Sequence, residues 1–259
     1  MSRVFAIANQ KGGVAKTTTA INLATSFAAC GYKTLVIDMD PQANATSGLG
    51  IDSRNVGASV RDILVGEVPA SKTILETQIP DLFLLPSKQT LVSAQVDLLG
   101  EDNNLARLKQ AIAPIREDYD FILIDCQPSL TLLPINALTA ADYLLVPLQT
   151  EYFALEGLSH IHKFLTDLQR HEGASVELYG IILTMTDNTR LSHQVQADVR
   201  EAFGSKVFNT MIPRNVRLAE APSHGMPVIM YDRTASGAVA YLELAAEILK
   251  REGLTIASA

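Results

Sequence analysis

The run Asn9-Gln10-Lys11-Gly12-Gly13-Val14-Ala15-Lys16-Thr17-Thr18 concentrates residue types that can hold an anion. It follows a short apolar run and opens a helical pattern. Gly12 and Gly13 let the backbone approach an anion with its N–H groups turned inward. The helix N-terminus beyond them adds partial positive charge. Lys16 can reach the β- and γ-phosphate oxygens of a nucleotide, and the Thr17 hydroxyl is placed to ligate Mg²⁺. Lys11, Gly12, Gly13, Val14, Ala15, Lys16, Thr17 and Thr18 are therefore the expected phosphate-binding loop. The common pattern G-x-x-x-x-G-K-[ST] is not met, because Gln10 and Ala15 stand where its two glycines would be. The Cβ of Ala15 fits such a loop only if φ there is negative.

Carboxylates complete the chemistry. Asp125 ends the apolar run Phe121–Ile124, where it would sit beside Thr17 and hold Mg²⁺ through water. As an alternative, it caps the helix after Pro128. Asp38 and Asp40 close another apolar run and point to the same side of an extended chain. Either could face the phosphates, where a carboxylate must reach a water in line with the γ-phosphorus.

The elements that position these groups alternate along the chain. Expected strands are Arg3–Ala8, Lys33–Ile37, Leu82–Leu85, Phe121–Ile124, Tyr143–Pro147, Leu178–Thr184 and a short Val207–Ile212. Most are continuous Val/Ile/Leu runs, as in parallel strands covered on both faces. Helical patterns span Thr17–Cys30, Leu91–Leu99, Asn104–Ile115, Leu130–Ala140, Leu155–Arg170, Ser192–Phe203 and Ser236–Arg251. The stretch Asn44–Lys72 reads as a loop with one short helix near Val60–Leu64. This order implies an α/β fold, a single doubly wound, mainly parallel sheet flanked by helices, with residues 1–259 as one domain.

With 259 residues and 47% hydrophobic content, the chain can build a core without disulfides or a structural metal. The two cysteines, Cys30 and Cys126, read as small buried hydrophobes, and the five histidines lack metal-ligand spacing. No signal-peptide layout or membrane-length apolar run is evident, so a cytoplasmic protein is expected. A net charge of -7 argues against a surface that coats nucleic acid throughout. The segment Gly180–Ala235 nevertheless carries +1 against -8 for the remainder.

Six blocks in order resemble the ParA/MinD ATPases with their deviant Walker A loop, in particular the short ParA/Soj branch. They are Lys11–Thr18, Val36–Asn44, Ile122–Pro128, Pro147–Gln149, Glu151–Gly157 and Ile212–Met226. The resemblance covers nearly the whole chain and implies an ATPase using ATP/ADP and Mg²⁺. It makes Asp40 the catalytic aspartate that orients water, and gives Asp38 a part at the Mg²⁺ end. Lys16 and Lys11 act on the phosphates, with Lys11 reaching across a two-fold interface to a second copy's nucleotide. Pro213 and Asn215 are implied to flank adenine. Ala15 departs from the glycine usual in this branch.

The same resemblance implies an ATP-dependent homodimer on double-stranded DNA without sequence preference, a ParB-like centromere-binding partner that stimulates hydrolysis, and nucleoid association. The chain starts at the nucleotide loop, so no N-terminal DNA-binding domain is expected. Arg190 and Arg217 are the first DNA-binding candidates, followed by Arg200, Arg214 and Lys206. The tail Gly253–Ala259 lacks the basic amphipathic helix with which MinD holds membranes, so no membrane partner is expected. An alternative function is a ParA-like positioning or regulatory ATPase for an organelle or protein cluster.

Overall fold

The computed structural model describes residues 2–129, 131–172 and 174–256. Its sheet contains β1 (Arg3–Ile7), β2 (Thr34–Met39), β3 (Leu75–Glu76), β4 (Leu82–Leu85), β5 (Phe121–Cys126), β6 (Tyr143–Gln149) and β7 (Glu177–Thr184). The order is β3-β4-β2-β5-β1-β6-β7, parallel except for the β3–β4 pair. The helices are α1 (Lys16–Ala29), α2 (Asn44–Gly48), α3 (Val60–Leu64), α4 (Leu91–Asp97), α5 (Arg107–Ile112) and α6 (Leu132–Ala140). They continue with α7 (Ala154–Glu172), α8 (Arg190–Phe203), α9 (Val216–Glu220), α10 (Val228–Tyr231) and α11 (Ser236–Arg251).

The central strands are largely apolar because they feed two cores. Val4 and Ala6 of β1 enter one core with Leu35, Ile37, Ile122 and Ile124, beneath residues of α3 to α7. Phe5 and Ile7 enter the other, against Leu23 and Phe27 of α1 and Tyr241 and Leu244 of α11. Successive side chains of a strand point to opposite faces, so a sheet covered on both sides loses the polar alternation of a half-exposed one.

Several elements differ from the sequence reading. Val207–Ile212 is not a strand. It touches β7 through Phe208 N–H to Ile181 O (3.0 Å) and Ile212 N–H to Leu183 O (2.8 Å), but between them the backbone turns away. The N–H groups of Asn209 and Thr210 donate instead to the Glu247 carboxylate of α11, at 3.0 and 2.9 Å. A side chain thus takes the donors a ladder would need. The stretch Asn44–Lys72 holds α2 as well as α3, and the two-residue β3 is too short to show a pattern. The helix expected over Asn104–Ile115 is confined to α5 and passes into a 3₁₀ segment, Ala113–Asp118, at Pro114. The expected start of α6, Leu130, lies outside the described residues, as do residues 257–259 of the tail.

Behind the sheet's C-terminal edge, two glycines permit a close crossing. A Cβ on Gly225 would lie 2.9 Å from Gly50 Cα, and one on Gly50 would lie 3.0 Å from the Gly225 carbonyl oxygen. The chain just after α2 is thereby seated on the segment that follows α9.

Candidate active site

β2 and β5 run two residues further than expected, and this sets the carboxylates. Asp38 and Asp125 are register partners, and Asp125 also pairs with Ile7 at the end of β1. The loop that follows β1 is tied at three points. Asn9 donates from Nδ2 to Pro147 O (2.8 Å) and accepts from Lys11 N–H (3.0 Å). Thr184 Oγ1 at the end of β7 donates to Val14 O (3.1 Å). A cavity of about 650 Å³ opens there, lined in part by Gly13, Ala15, Lys16, Thr17, Thr18 and Asp40.

Ala15 corrects one expectation. It caps α1 in the left-handed region, at φ 68° and ψ 32°, not at negative φ. Met185, which also lines the cavity, has φ 51°, and Ala43 has φ 54°. Left-handed non-glycine residues cost about 1–2 kcal/mol each and gather where a site over-determines the backbone. Ala15 offers no side-chain oxygen to the first turn of α1. Ala15→Gly should relieve the strain at some entropic cost in the unfolded chain, for a net gain of roughly 0.5–1 kcal/mol. A thermal melt checks this, and a lower melting temperature would speak against the left-handed assignment.

Lys16 is buried and donates from Nζ to Lys11 O (2.9 Å). Burial lowers its ammonium pKa, while Asp125, Cys126 and Asp40 act to raise it. Asp125 is fully buried, and among the described residues neither carboxylate oxygen has a hydrogen-bond partner. Burial first, then the neighbouring Asp38 charge, pushes its carboxyl well above the usual range, although the Thr17 hydroxyl and Lys16 act the other way. Two unmet acceptor oxygens beside a threonine hydroxyl fit a hard cation such as Mg²⁺.

Asp38 differs, because its oxygens are already engaged. Oδ2 accepts from Thr46 N–H (2.8 Å) and Oγ1 (2.7 Å), and Oδ1 accepts from Asp40 N–H (3.1 Å). Burial nonetheless pushes its carboxyl up to about 6, against the lowering effect of those bonds. Asp40 lines the cavity. Its Oδ1 accepts from Gln42 N–H (2.9 Å), and Oδ2 accepts no hydrogen bond among the described residues.

The structure does not gather every expected residue. Pro213 and Asn215 are not among those lining the cavity. The Asn215 amide is occupied within the fold, accepting from Arg217 N–H (2.9 Å) and donating to Ser236 Oγ (2.8 Å). Gly12 and Lys11 stand on the exposed outer part of the loop, and Lys11 forms an ion pair with Glu151 beside exposed Tyr152 and Phe153. Sequence reasoning passed over Gln127, Pro128 and Met185 as cavity residues, and Asn9, Thr46 and Ser87 as supports of the phosphate loop, Asp38 and Asp40. Asn9, two residues beyond β1, was the one readable signal, as a side chain able to bridge the loop to a neighbouring strand.

Arg190 is exposed at the start of α8 and has no ion pair among the described residues. Arg217 is held by Glu220 (2.8 Å) and Asp232 (3.5 Å). Arg200 and Lys206 donate to main-chain oxygens of Phe208 and Leu178. Cys30 and Cys126 are free and buried, as expected. Among the described residues no helix is long and apolar enough to cross a membrane.

A strand-loop-helix anion cradle at the C-terminal edge of a parallel sheet, with a buried lysine and three acidic residues, defines a P-loop nucleotide hydrolase. A family model described as an AAA domain (AAA_31) matches residues 2–178. The chain is 47% identical over 253 residues to the chromosome partitioning protein ParA of Caulobacter vibrioides, covering 96% of this chain and 95% of that one. It is 46% identical over 249 residues to the sporulation initiation inhibitor protein Soj of Bacillus subtilis, covering 96% and 98%. Among solved structures, the cobyrinic acid a,c-diamide synthase of Mycobacterium smegmatis with bound ATP analog and magnesium superposes with TM-score 0.87 at 34% identity, covering 97% of this chain and 96% of that one. The chain belongs to the ParA/Soj family of partitioning ATPases, and it is an ATPase.

Proposed function

We propose that this ATPase segregates DNA. Its ATP-bound form pairs with a second copy, the pair binds double-stranded DNA without sequence preference, and a ParB-like partner stimulates hydrolysis. The protein uses ATP with Mg²⁺. Thr17 and Asp125 would hold the ion, which supplies charge neutralisation at the β- and γ-phosphates. Lys16 and the loop N–H groups bind and orient the phosphates. Asp40, with one oxygen uncommitted, holds the attacking water, and Asp38 positions the Asp40 loop. Pro213 and Asn215 remain the proposed adenine contacts, which requires Asn215 to exchange its bond to Ser236.

The observation that carries this reading is Lys11. It belongs to the phosphate loop, yet its ammonium stands half-exposed on the rim, where a second molecule could be met. The partition names of the curated relatives give the DNA cargo its support. Light scattering of wild-type protein and Asp40→Ala with ADP, ATP and a non-hydrolysable analogue tests the scheme, alongside retention on duplex DNA. A dimer and DNA retention confined to the triphosphate states are expected, and a monomer in saturating Mg-ATP for both proteins would refute it.

For the DNA face, Arg190→Glu should weaken duplex binding more than Arg217→Glu, because Glu220 and Asp232 already offset the Arg217 charge. For every phosphate that is no longer neutralised, the log–log salt dependence should flatten by about 0.9. Fluorescence anisotropy with a random duplex across a salt series provides the comparison, with ATPase activity without DNA unchanged. Equal and parental affinities in both variants would place the DNA face elsewhere.

A further inference from the structure

We propose that Ser87 is a positioning residue for ATP hydrolysis, its hydroxyl fixing the main chain of Asp40 and hence the direction of the carboxylate. This rests on the reading of Asp40 as the residue that orients the attacking water.

The observation is a closed ring of buried hydrogen bonds. Ser87 Oγ donates to Asp40 O (2.7 Å). Asp40 N–H donates to Asp38 Oδ1 (3.1 Å), and Asp38 Oδ2 accepts from Thr46 Oγ1 (2.7 Å). Thr46 Oγ1 in turn accepts from Ser87 N–H (3.0 Å). Asp38, Thr46 and Ser87 are fully buried, and Asp40 is 8% exposed. Each member meets its neighbour in a setting without competing water, where such bonds are strongest and most directional.

The ring matters because the other bonds that Asp40 accepts, Gln42 N–H to Oδ1 among them, come from its own turn. Asp40 O also accepts from Ala43 N–H (2.9 Å), but that bond lies within the turn and can move with it. Ala43 sits at φ 54°, a conformation that persists only when its surroundings impose it. Ser87 comes from the segment after β4, which is anchored separately by Val60 N–H to Pro86 O (2.9 Å). Its hydroxyl therefore ties Asp40 to a fixed point outside the turn. Displacement of a reacting group by a fraction of an ångström costs rate while leaving binding of the remaining substrate intact.

Replacing the hydroxyl removes this tie alone, since Ser87 meets Thr46 through its main chain. Basal Mg-ATP turnover, the affinity of a fluorescent ATP analogue and the melting temperature should be measured for Ser87→Ala, Ser87→Cys and Asp40→Ala. Alanine underfills the site and cysteine overfills it, and neither replaces the hydroxyl as a donor, so a loss shared by both reports the missing hydrogen bond, and cysteine carries the test if the alanine variant does not fold. The expected result is a kcat about tenfold lower in both Ser87 variants, with analogue affinity within about twofold of parental. Asp40→Ala should be inactive. Parental turnover in Ser87→Cys, or affinity falling in step with kcat, would overturn the proposal, as would turnover within about twofold of parental in both Ser87 variants. Parental turnover in Asp40→Ala would instead overturn the underlying reading of Asp40, and the two failures are thus distinguishable.

Discussion

Asp125→Asn should raise the melting temperature of the nucleotide-free protein while abolishing Mg²⁺-dependent ATP hydrolysis. The carboxylate is fully buried with both oxygens unpartnered among the described residues, next to a second buried carboxylate in register. A fully buried carboxylate beside a second one, only partly offset by the Thr17 hydroxyl and Lys16, costs more than a neutral amide in the same place, so a gain of about 1–3 kcal/mol is expected. The pH dependence follows from the raised carboxyl. Unfolded aspartate releases its proton near 3.9, whereas the native state keeps it to higher pH, so between those values the native state binds more protons. The native protein therefore carries no penalty below about pH 4 and an increasing one as the pH rises. The advantage of asparagine should be absent near pH 4 and widen towards neutrality. Melts of both proteins across that range decide the matter, and a constant or reversed difference would contradict it. Mg-ATP should then stabilise the parent more than the variant, because one of the two groups that would hold the cation is gone while Lys16 and the loop N–H groups still meet the phosphates.

The second large effect is expected at Lys11. Its ion pair with Glu151 joins two half-exposed side chains, an arrangement worth at most about 1 kcal/mol. The ammonium is therefore released at little cost. A charge-assisted contact to a second copy's phosphates is worth about 1.5–3 kcal/mol, and a symmetric pair contains two of them. Lys11→Ala should accordingly weaken ATP-dependent pairing by roughly 10²–10⁴-fold. Binding of a fluorescent ATP analogue to the monomer should persist, because Lys16 and the loop N–H groups are untouched. Sedimentation velocity with the non-hydrolysable analogue measures the pairing. A variant that still pairs and hydrolyses ATP at the parental rate would remove Lys11 from the mechanism.

The phosphate loop and the sheet were legible because their signals are local. Glycines, a lysine and a threonine follow one apolar run directly, and continuous apolar strands announce a sheet covered on both faces. The position of Asp125 was readable for the same reason, since it directly follows the apolar run Phe121–Ile124. What could not be read depends on partners distant in the chain. Ser87 has no motif around it, and its role exists only because β4 delivers it to the Asp40 loop. Val207–Ile212 has the composition of a strand, but Glu247, more than thirty residues on, claims its central donors. Ala15 was misjudged from a steric rule for isolated residues, which surrounding structure can override at modest cost. The arginines of Gly180–Ala235 were read as equivalent charges, and only folding distinguishes free Arg190 from paired Arg217.

The crossing of Gly50 over Gly225 gives the molecule a mechanical property. The two backbones meet directly, a Cβ on Gly225 lying 2.9 Å from Gly50 Cα and one on Gly50 lying 3.0 Å from the Gly225 carbonyl oxygen. Gly50 lies two residues beyond α2, which begins four residues after Asp40, and Gly225 lies five residues after Glu220, an anchor of Arg217. Alanine at either position would drive a methyl group into the opposite backbone and strain a left-handed residue, φ 82° at Gly50 and 63° at Gly225, so the spacing between the two segments depends on both glycines.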